Sequence, residues 1–284
     1  MIANPSFLVF LGSCPDRVGL IAAVSGFFAM ARVNIVKLEQ HVERGRFFIR
    51  VEGQSLELHQ SLADWNAAFA GLGRTLDMTW QFFDPQVSCR VALLASKTLS
   101  CPMEVLTGQY DGSLPVSVSC LISNHSDLAE VASRFRLPFY HIPALTGSRD
   151  HEAEQLRVLA NHEVDVVVLA RYMRILSGDF LRELNKPVIN IHHSFLPSFA
   201  GSDPYGQAFA RGVKLIGATA HFVTEKLDEG PIIAQDIHPV HHGYSVEEMK
   251  RSGAHIEKSV LAGALRKFAE HKIIEWNGRT VVFH

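Results

Sequence analysis

The sequence lacks the features that mark membrane proteins and nucleic-acid-binding proteins. No apolar run approaches the roughly 20 residues needed to cross a bilayer, and Met1–Pro5 lacks the basic start of a signal peptide. The 27 lysines and arginines are scattered and nearly balanced by 29 aspartates and glutamates. A chain without a broad basic surface has little attraction for nucleic acid or anionic lipid. We therefore expect a cytoplasmic protein whose partners are small molecules, with no nucleic-acid or membrane partner.

Cysteine is scarce, and the common catalytic motifs are missing. The four cysteines, Cys14, Cys89, Cys101 and Cys120, form no Cys-x-x-Cys pair, so we interpret them as reduced, mostly buried thiols. The sequence has no Gly-x-Gly-x-x-Gly, no Walker loop, no Gly-x-Ser-x-Gly and no His-Glu-x-x-His. Dinucleotide-binding, nucleotide-hydrolysing and serine-hydrolase functions therefore lose their usual support.

One histidine cluster invites a metal-site interpretation. His238, His241 and His242 lie close together in the sequence, but they lack the i, i+4 spacing of a helical site and a nearby set of carboxylates. We interpret them as surface or structural residues, and we predict no metal site.

Length and pattern together predict two α/β domains. A chain of 284 residues with 47% hydrophobic residues is long enough for two separate cores. Asp84-Pro85 closes the first pattern, since proline cannot extend a strand ladder. We place the first domain at residues 1–84, a linker at 85–88 and the second domain at 89–284.

The first domain shows the ferredoxin-like order βαββαβ. Apolar residues recur at helical spacing, including Leu58 in the second helix, so each helix can cover one face of a sheet. Phe47 and Phe48 are neighbours on one strand, so both faces of that strand carry apolar groups. The predicted strands are Phe7–Gly12, Val33–Val42, Arg46–Glu52 and Asp77–Phe83, and the predicted helices are Val18–Ala31 and Leu56–Ala70.

The second domain alternates strands and helices in the βαβ manner of a doubly wound, mostly parallel sheet. Ser245-x-x-Glu248 predicts a capping box that opens a helix to about His271. Asn277-Gly278 predicts the type I′ turn of a terminal hairpin. The other predicted elements are strands Arg90–Ala95, Val116–Ile122, Asp165–Ala170 and Val188–Ile191, and helices Asp127–Phe135 and Glu152–His162.

Polar residues at one strand end are the best candidates for chemistry. Asn190 and His192 are two residues apart on a strand and so share a face, at the carboxyl end where open α/β sheets bind ligands. Asp228 lies in an Asp-Glu-Gly-Pro turn that can return to the same end. An imidazole and an amide that stabilise an oxyanion, beside a carboxylate that moves protons, suit acyl chemistry on a formamide. Spacing alone also permits structural roles for all three residues.

The same residues belong to a wider pattern. Asn190-Ile-His192, Ser194-Phe-Leu196-Pro197 and Asp228-Glu-Gly230-Pro231 together resemble the catalytic core of the folate-dependent formyltransferases, and the likeness covers almost all of residues 89–284. It implies a Rossmann-like catalytic domain in which Asn190, His192 and Asp228 are the catalytic residues. It also implies two folate-binding segments, formed by Met173, Arg174, Ile175 and Leu176 and by Val223, Thr224 and Glu225.

The first domain resembles an ACT domain through Asp16-Arg-Val-Gly19-Leu-Ile21 and Asn34-Ile35. An ACT domain in front of a formyltransferase core is similar to the formyltetrahydrofolate deformylases, and His192-His193-Ser194-Phe195 agrees with that subfamily. The resemblance implies hydrolysis of 10-formyltetrahydrofolate to formate and tetrahydrofolate without a further cofactor. It implies a role in supplying formate for purine synthesis and in balancing the one-carbon folate pool.

The acceptor and the regulation follow from the same likeness. Where glycinamide ribonucleotide transformylases carry a Gly-Ser-Asn phosphate loop, this chain has Leu94-Ala-Ser-Lys97, which leaves water as the acceptor. The ACT likeness implies an amino-acid effector, with Asp16, Gly19 and Asn34 as candidate contacts. Because two helices cover only one face of a four-stranded sheet, the apolar residues on its other face predict a homo-oligomer in which a second copy covers that face.

Three alternatives stay open at this point: a formyltransferase with an amine acceptor, a catalytically silent folate or amino-acid sensor, and an ACT domain that serves assembly alone. The chain departs from the deformylase pattern at Ser100-Cys101-Pro102 and at Pro204-Tyr205-Gly206-Gln207.

Overall fold

The computed structural model describes residues 6–55, 61–144, 149–197 and 203–284, which form two compact units. The first unit comprises Met1–Ser88, Glu270–Trp276 and Val281–His284, and the second comprises Cys89–Ala269 and Asn277–Thr280. The sequence prediction assigned every residue after 88 to the second domain. The structure differs at the C-terminus, where most of the terminal hairpin packs within the first unit.

The first unit is an antiparallel sheet covered by two helices in the predicted βαββαβ order. Its strands lie in the order β2-β3-β1-β4. Leu20, Phe28, Trp65 and Phe69 of the helices pack in the same buried cluster as Phe10 of the central strand. The elements are β1 (Ser6–Pro15), α1 (Leu20–Met30), β2 (Val33–Glu43), β3 (Arg46–Ser55), α2 (Leu62–Thr75) and β4 (Thr79–Phe83).

Helix α2 begins and ends later than the sequence predicted. Its N-terminus is set by a capping box, in which the Ser61 hydroxyl accepts from the Asp64 backbone and the Asp64 carboxylate accepts from the Ser61 backbone. The predicted start at Leu56, and Leu58, lie outside the described residues. The helix continues past Ala70 to Thr75, and in this extra turn Gly73 packs against Trp80, where an added Cβ would lie 2.4 Å from the indole ring.

The second face of the first sheet is covered by the chain itself. Phe48 and Arg50 are 0% and 3% exposed. The Phe48 ring packs against Trp276 at 5.6 Å between centroids, and the Arg50 guanidinium donates to the carbonyls of Glu270 and His271, each at 2.8 Å. The exposed face that led us to expect a second copy is therefore filled by the C-terminal segment, which sequence periodicity cannot locate. Homo-oligomerisation stays a prediction, supported by the candidate effector residues described below.

The second unit is a seven-stranded, mostly parallel sheet with helices between its strands, as predicted. Its strands lie in the order β11-β10-β9-β8-β5-β6-β7, in which β10 and β11 run antiparallel to their neighbours. The elements are β5 (Cys89–Ala95), α3 (Ser100–Asp111), β6 (Val116–Ser123), α4 (Ala129–Arg134), β7 (Phe139–His141), α5 (Asp150–Asn161), β8 (Val166–Leu169), α6 (Gly178–Leu184), β9 (Val188–His192), α7 (Pro204–Arg211), β10 (Leu215–Phe222), β11 (Ile232–Pro239) and α8 (Val246–Ala269).

Two predicted local motifs are confirmed. The hydroxyl of Ser245 accepts from the Glu248 backbone and the Glu248 carboxylate accepts from the Ser245 backbone, so a capping box opens α8. The terminal hairpin joins β12 (Ile273–Trp276) to β13 (Arg279–Val282), and both turn residues between them, Asn277 and Gly278, have positive φ.

Burial also agrees with the interpretation of the cysteines. All four, each within the described ranges, are buried and free. Burial raises the pKa of Cys89, Cys101 and Cys120 to about 12, so these thiols stay protonated and unreactive. In the described parts of the chain, we find no helix with the length and apolar character needed to span a membrane.

Candidate active site

Strand β9 places the first two candidates at the carboxyl end of the parallel sheet. Asn190 and His192 project to one face of β9, and Asn190 pairs with Leu169 of β8 on one side and with His221 of β10 on the other. The side chain of His192 is buried. Because β9 lies next to the antiparallel strand β10, a third polar side chain, His221, enters the same site.

The turn after β10 carries the carboxylate of Asp228 back over this end. Asp228 adopts a left-handed conformation with φ of 55°. Gly230 makes the return possible, since an added Cβ there would lie 1.7 Å from the Phe222 carbonyl oxygen. The Asp-Glu-Gly-Pro sequence therefore positions a functional group as well as forming a turn.

Asp228 lies between two imidazoles. Its Oδ2 is 3.2 Å from His192 Nδ1 and its Oδ1 is 3.6 Å from His221 Nε2. The hydrogen bond from His192, followed by the nearby imidazole of His221, holds the pKa of the Asp228 carboxyl well below its usual range. Because a carboxylate only accepts, the proton of His192 sits on Nδ1. The opposite nitrogen, Nε2, is buried and has no hydrogen-bonding partner among the described residues.

His221 connects Asp228 to Asn190, and the sequence analysis assigned it no role. Its Nδ1 donates to the Phe222 carbonyl at 2.9 Å, so this nitrogen carries a proton. Its Nε2 lies 3.2 Å from Asn190 Nδ2 and 3.6 Å from Asp228 Oδ1, so the amide is the nearer neighbour. A neutral ring accepts from the Asn190 amide, and a protonated ring donates to Asp228. The signal in the sequence was an alternation of polar residues, Thr219 and His221, along a small apolar strand.

A cavity of about 280 Å³ joins these residues to both predicted folate segments. It is lined by the four polar residues and by the loops that follow β8 and β10. Met173, Ile175 and Leu227 are 56%, 71% and 60% exposed at this cavity, an apolar surface that a ring-shaped ligand would cover. The lining includes every predicted catalytic and folate-binding residue: Met173, Arg174, Ile175, Leu176, Asn190, His192, Val223, Thr224, Glu225 and Asp228.

The loop after β8 is held by buried polar side chains of α5. The Glu152 carboxylate accepts from the backbone and hydroxyl of Ser177, at 2.8 and 2.6 Å. Gln155 donates to the Tyr172 hydroxyl at 2.6 Å. Sequence reasoning missed both residues, although a Glu and a Gln on the apolar face of a helix are an unusual pattern.

His193 extends the polar set on the side away from the loops. Its ring lies 5.3 Å from that of His192 and 6.0 Å from that of Tyr205. Burial, followed by the charge of nearby Arg171, lowers the pKa of His193 to about 4, so the ring is neutral at physiological pH.

The cluster of His238, His241 and His242 lies outside this site. Within the described residues, no group of three or more histidine, cysteine, aspartate or glutamate side chains is placed to hold a metal ion. The ring of His241 makes a T-shaped contact with Tyr244, and its centroid lies 5.9 Å from that of His242.

The three candidate effector residues do not meet within one chain. Gly19, with φ of 92°, begins α1 next to Asp16, which follows the end of β1. Asn34 pairs with Gln54, which pairs with Phe7 at the start of β1. The two places are therefore separated by the 10 residues of β1, about 30 Å at ~3.3 Å per residue. A shared site would need residues from two chains.

Comparison with known proteins agrees with both halves of the architecture. The sequence profile of the ACT domain matches residues 8–70, and that of the formyl transferase family matches residues 89–265. The chain is 42% identical over 278 residues to the formyltetrahydrofolate deformylase of Bacillus subtilis (strain 168), covering 96% of this chain and 93% of the relative.

Solved structures give the same result. A formyltetrahydrofolate deformylase from Pseudomonas syringae pv. tomato superimposes with a TM-score of 0.94 at 42% identity, over 99% of this chain and 95% of that chain. Glycinamide ribonucleotide transformylase 1 from Symbiobacterium toebii has a TM-score of 0.66 at 34% identity, over 69% of this chain and 95% of that chain. The whole chain thus matches the first protein, and about two thirds of it matches the second.

Proposed function

The chain belongs to the formyltetrahydrofolate deformylase family, and from this premise we propose that it hydrolyses 10-formyltetrahydrofolate to formate and tetrahydrofolate. The observation that carries the proposal is the shared cavity, which joins an apolar loop surface to Asn190, His192 and Asp228. The pterin ring lies against Met173–Leu176 and Val223–Glu225, and the formyl group lies at the polar end.

Asn190 stabilises the oxyanion. One N–H of its amide is directed to His221, which leaves the second N–H for the formyl oxygen. A donor already in place when negative charge develops on that oxygen lowers the barrier, because the protein needs no rearrangement at that moment.

His192 and Asp228 move the proton together. Both oxygens of Asp228 lie against imidazoles, and its lowered pKa makes the carboxylate alone a weak base. Asp228 therefore acts through His192, by holding the proton on Nδ1 and orienting Nε2. Water attacks the formyl carbon as Nε2 takes its proton. The bond to N10 then breaks, and N10 receives that proton.

Formate release without an acceptor is the decisive test. Purified protein should convert 10-formyltetrahydrofolate to tetrahydrofolate and formate in the presence of a chelator and with no added amine. Because the proposed chemistry uses side chains only, the chelator should leave the rate unchanged. If formate or a formyl product formed only after an amine such as glycinamide ribonucleotide was supplied, the activity would be that of a transferase.

The ACT domain supports a second proposal, an amino-acid effector bound at the turn before α1. The backbone N–H groups that open this helix favour a carboxylate, and Gly19 leaves open space beside them. Because Asn34 lies at the opposite end of the sheet, a complete site joins two copies of the chain. Amino acids should then shift both activity and melting temperature in the wild type, but not in Gly19→Val. A flat response of the wild type would leave assembly as the role of this domain.

A further inference from the structure

His193 separates the catalytic cavity from a second cavity in the same unit. The second cavity has a volume of about 270 Å³ and is mostly apolar, with Phe195, Leu215 and Ile237 in its lining. Those three side chains are 43%, 50% and 45% exposed, so the second cavity opens to solvent. Among the described residues, the lining that the two cavities share is His193. The two cavities therefore meet at this residue.

The ring of His193 is held in place from both sides. His192 lies on the catalytic side, at 5.3 Å, and Tyr205 on the side of the second cavity, at 6.0 Å. The Tyr205 hydroxyl donates to Glu257 Oε1 at 2.7 Å, and the other oxygen of Glu257 accepts from Arg171 at 3.0 Å.

The support behind His193 is itself buried and tightly fitted. Tyr205 and Glu257 are 5% and 2% exposed. Gly253 of α8 leaves the space that the Tyr205 hydroxyl occupies, since an added Cβ would lie 1.8 Å from that oxygen. A buried, charge-assisted chain of contacts of this kind restricts side-chain motion. Because the His193 imidazole is neutral at physiological pH, a role in lining the cavity fits it better than a role in proton transfer.

We propose that His193 determines the acceptor of the reaction, by closing the catalytic cavity towards the second cavity so that water enters and amines do not. The inference rests on the proposed hydrolysis. It assigns a specificity role to a residue that the proton transfer does not use. Removal of the ring would join the two cavities into one space that reaches the surface and admits a small amine.

The test uses hydroxylamine as the amine. In His193→Ala, its nitrogen attacks the formyl carbon, the bond from that carbon to N10 breaks, and one proton of hydroxylamine ends on N10. Formylhydroxamic acid and tetrahydrofolate are the products. The ratio of hydroxamate to formate should rise at least about tenfold over the wild type, a change typical of altered pocket contacts. His193→Phe, which restores a ring without its nitrogens, should keep the low ratio.

Two further variants make the outcome decisive. Ile237→Trp fills the second cavity from the surface, and in the His193→Ala background it should return the ratio to the wild-type value. If His193→Ala fails to fold, Tyr205→Phe is the test variant, because it removes the hydroxyl that bonds to Glu257 behind His193. An increased ratio of hydroxamate to formate in this variant supports the role of His193, and an unchanged ratio overturns it. An unchanged ratio in folded His193→Ala also overturns it. Absence of formate from the wild type would instead refute the hydrolase function.

Discussion

At the scale of single residues, the proposed chemistry depends on one carboxylate between two imidazoles. Asp228 Oδ2 lies 3.2 Å from His192 Nδ1, and Asp228 Oδ1 lies 3.6 Å from His221 Nε2. Asp228→Asn keeps the shape of the side chain but removes its charge. We expect kcat to fall by at least about 10²-fold while the affinity for folate changes little.

The neighbouring residue provides the control for this prediction. Glu229 is exposed, with its carboxylate near Lys226 on the surface. Glu229→Gln should leave kcat and KM at wild-type values in the same formate-release assay. A folded Asp228→Asn protein with near-normal kcat would place the proton transfer elsewhere.

The same carboxylate predicts how stability depends on pH. The folded-state pKa of Asp228 lies below the unfolded value of about 3.9. The ionised Asp228 carboxylate therefore stabilises the folded state fully above this unfolded-state pKa, and the stabilisation is lost as the pH falls below it. The difference in unfolding free energy between the wild type and Asp228→Asn should be constant above about pH 5 and shrink below about pH 4. Urea denaturation of both proteins on each side of this range measures the difference, and a value that stays constant below about pH 4 would contradict the assignment.

At the scale of elements, two glycines of α8 have opposite roles. Gly253 faces the Tyr205 hydroxyl, whereas Gly263 has open space beside it. Gly253→Ala should destabilise the protein by about 1–3 kcal/mol through overpacking. Gly263→Ala should stabilise it by about 0.5–1 kcal/mol, because alanine loses less backbone entropy in a helix. Chemical denaturation measures the free energy of unfolding of both variants, which carry the same substitution at two positions of one helix. Equal effects would mean that Tyr205 moves aside at no cost.

A substitution on helix α5 should affect folate binding more than the chemical step. Glu152 holds Ser177 at the end of the loop that lines the folate segment of the cavity. Glu152→Gln weakens two charge-assisted hydrogen bonds, worth about 1.5–3 kcal/mol each. KM for the folate should rise several-fold, with a smaller change in kcat. The exposed Glu154 on the same helix offers the control variant Glu154→Gln, which should match the wild type. A fall in kcat with an unchanged KM would show that the loop acts in the chemical step.

At the scale of the whole molecule, the last residues of the chain complete the first unit. Phe283 is 4% exposed and packs with Leu11 and Phe48 of the sheet. Phe283→Ala should lower the unfolding free energy by about 3–5 kcal/mol. The adjacent Val282 is only partly buried, so Val282→Ala should cost less. Urea unfolding followed by tryptophan fluorescence, with Trp276 close to the change, measures both. Equal losses would mean that the hairpin does not fill this core.

Local sequence patterns account for much of this fold. The order of strands and helices, the Ser245 capping box and the Asn277-Gly278 turn are properties of neighbouring residues, so periodicity and turn chemistry predicted them. Asn190 and His192 share a face because strand side chains alternate. The functional assignment needed more, because the combined motifs identified a family that no single spacing could identify.

Long-range packing decided the rest. His221 joined the site because β10 pairs with β9, and residues 31 positions apart along the chain meet only when that antiparallel pairing forms. Asn34 lay apart from Asp16 because strand directions in the first sheet put them at opposite ends. The amino-acid order specifies the helices and strands and the chemical groups that they carry. Tertiary packing places the C-terminal segment against the second face of the first sheet and brings His193 into the lining of both cavities. Both results depend on contacts between segments whose separation along the chain no local pattern encodes.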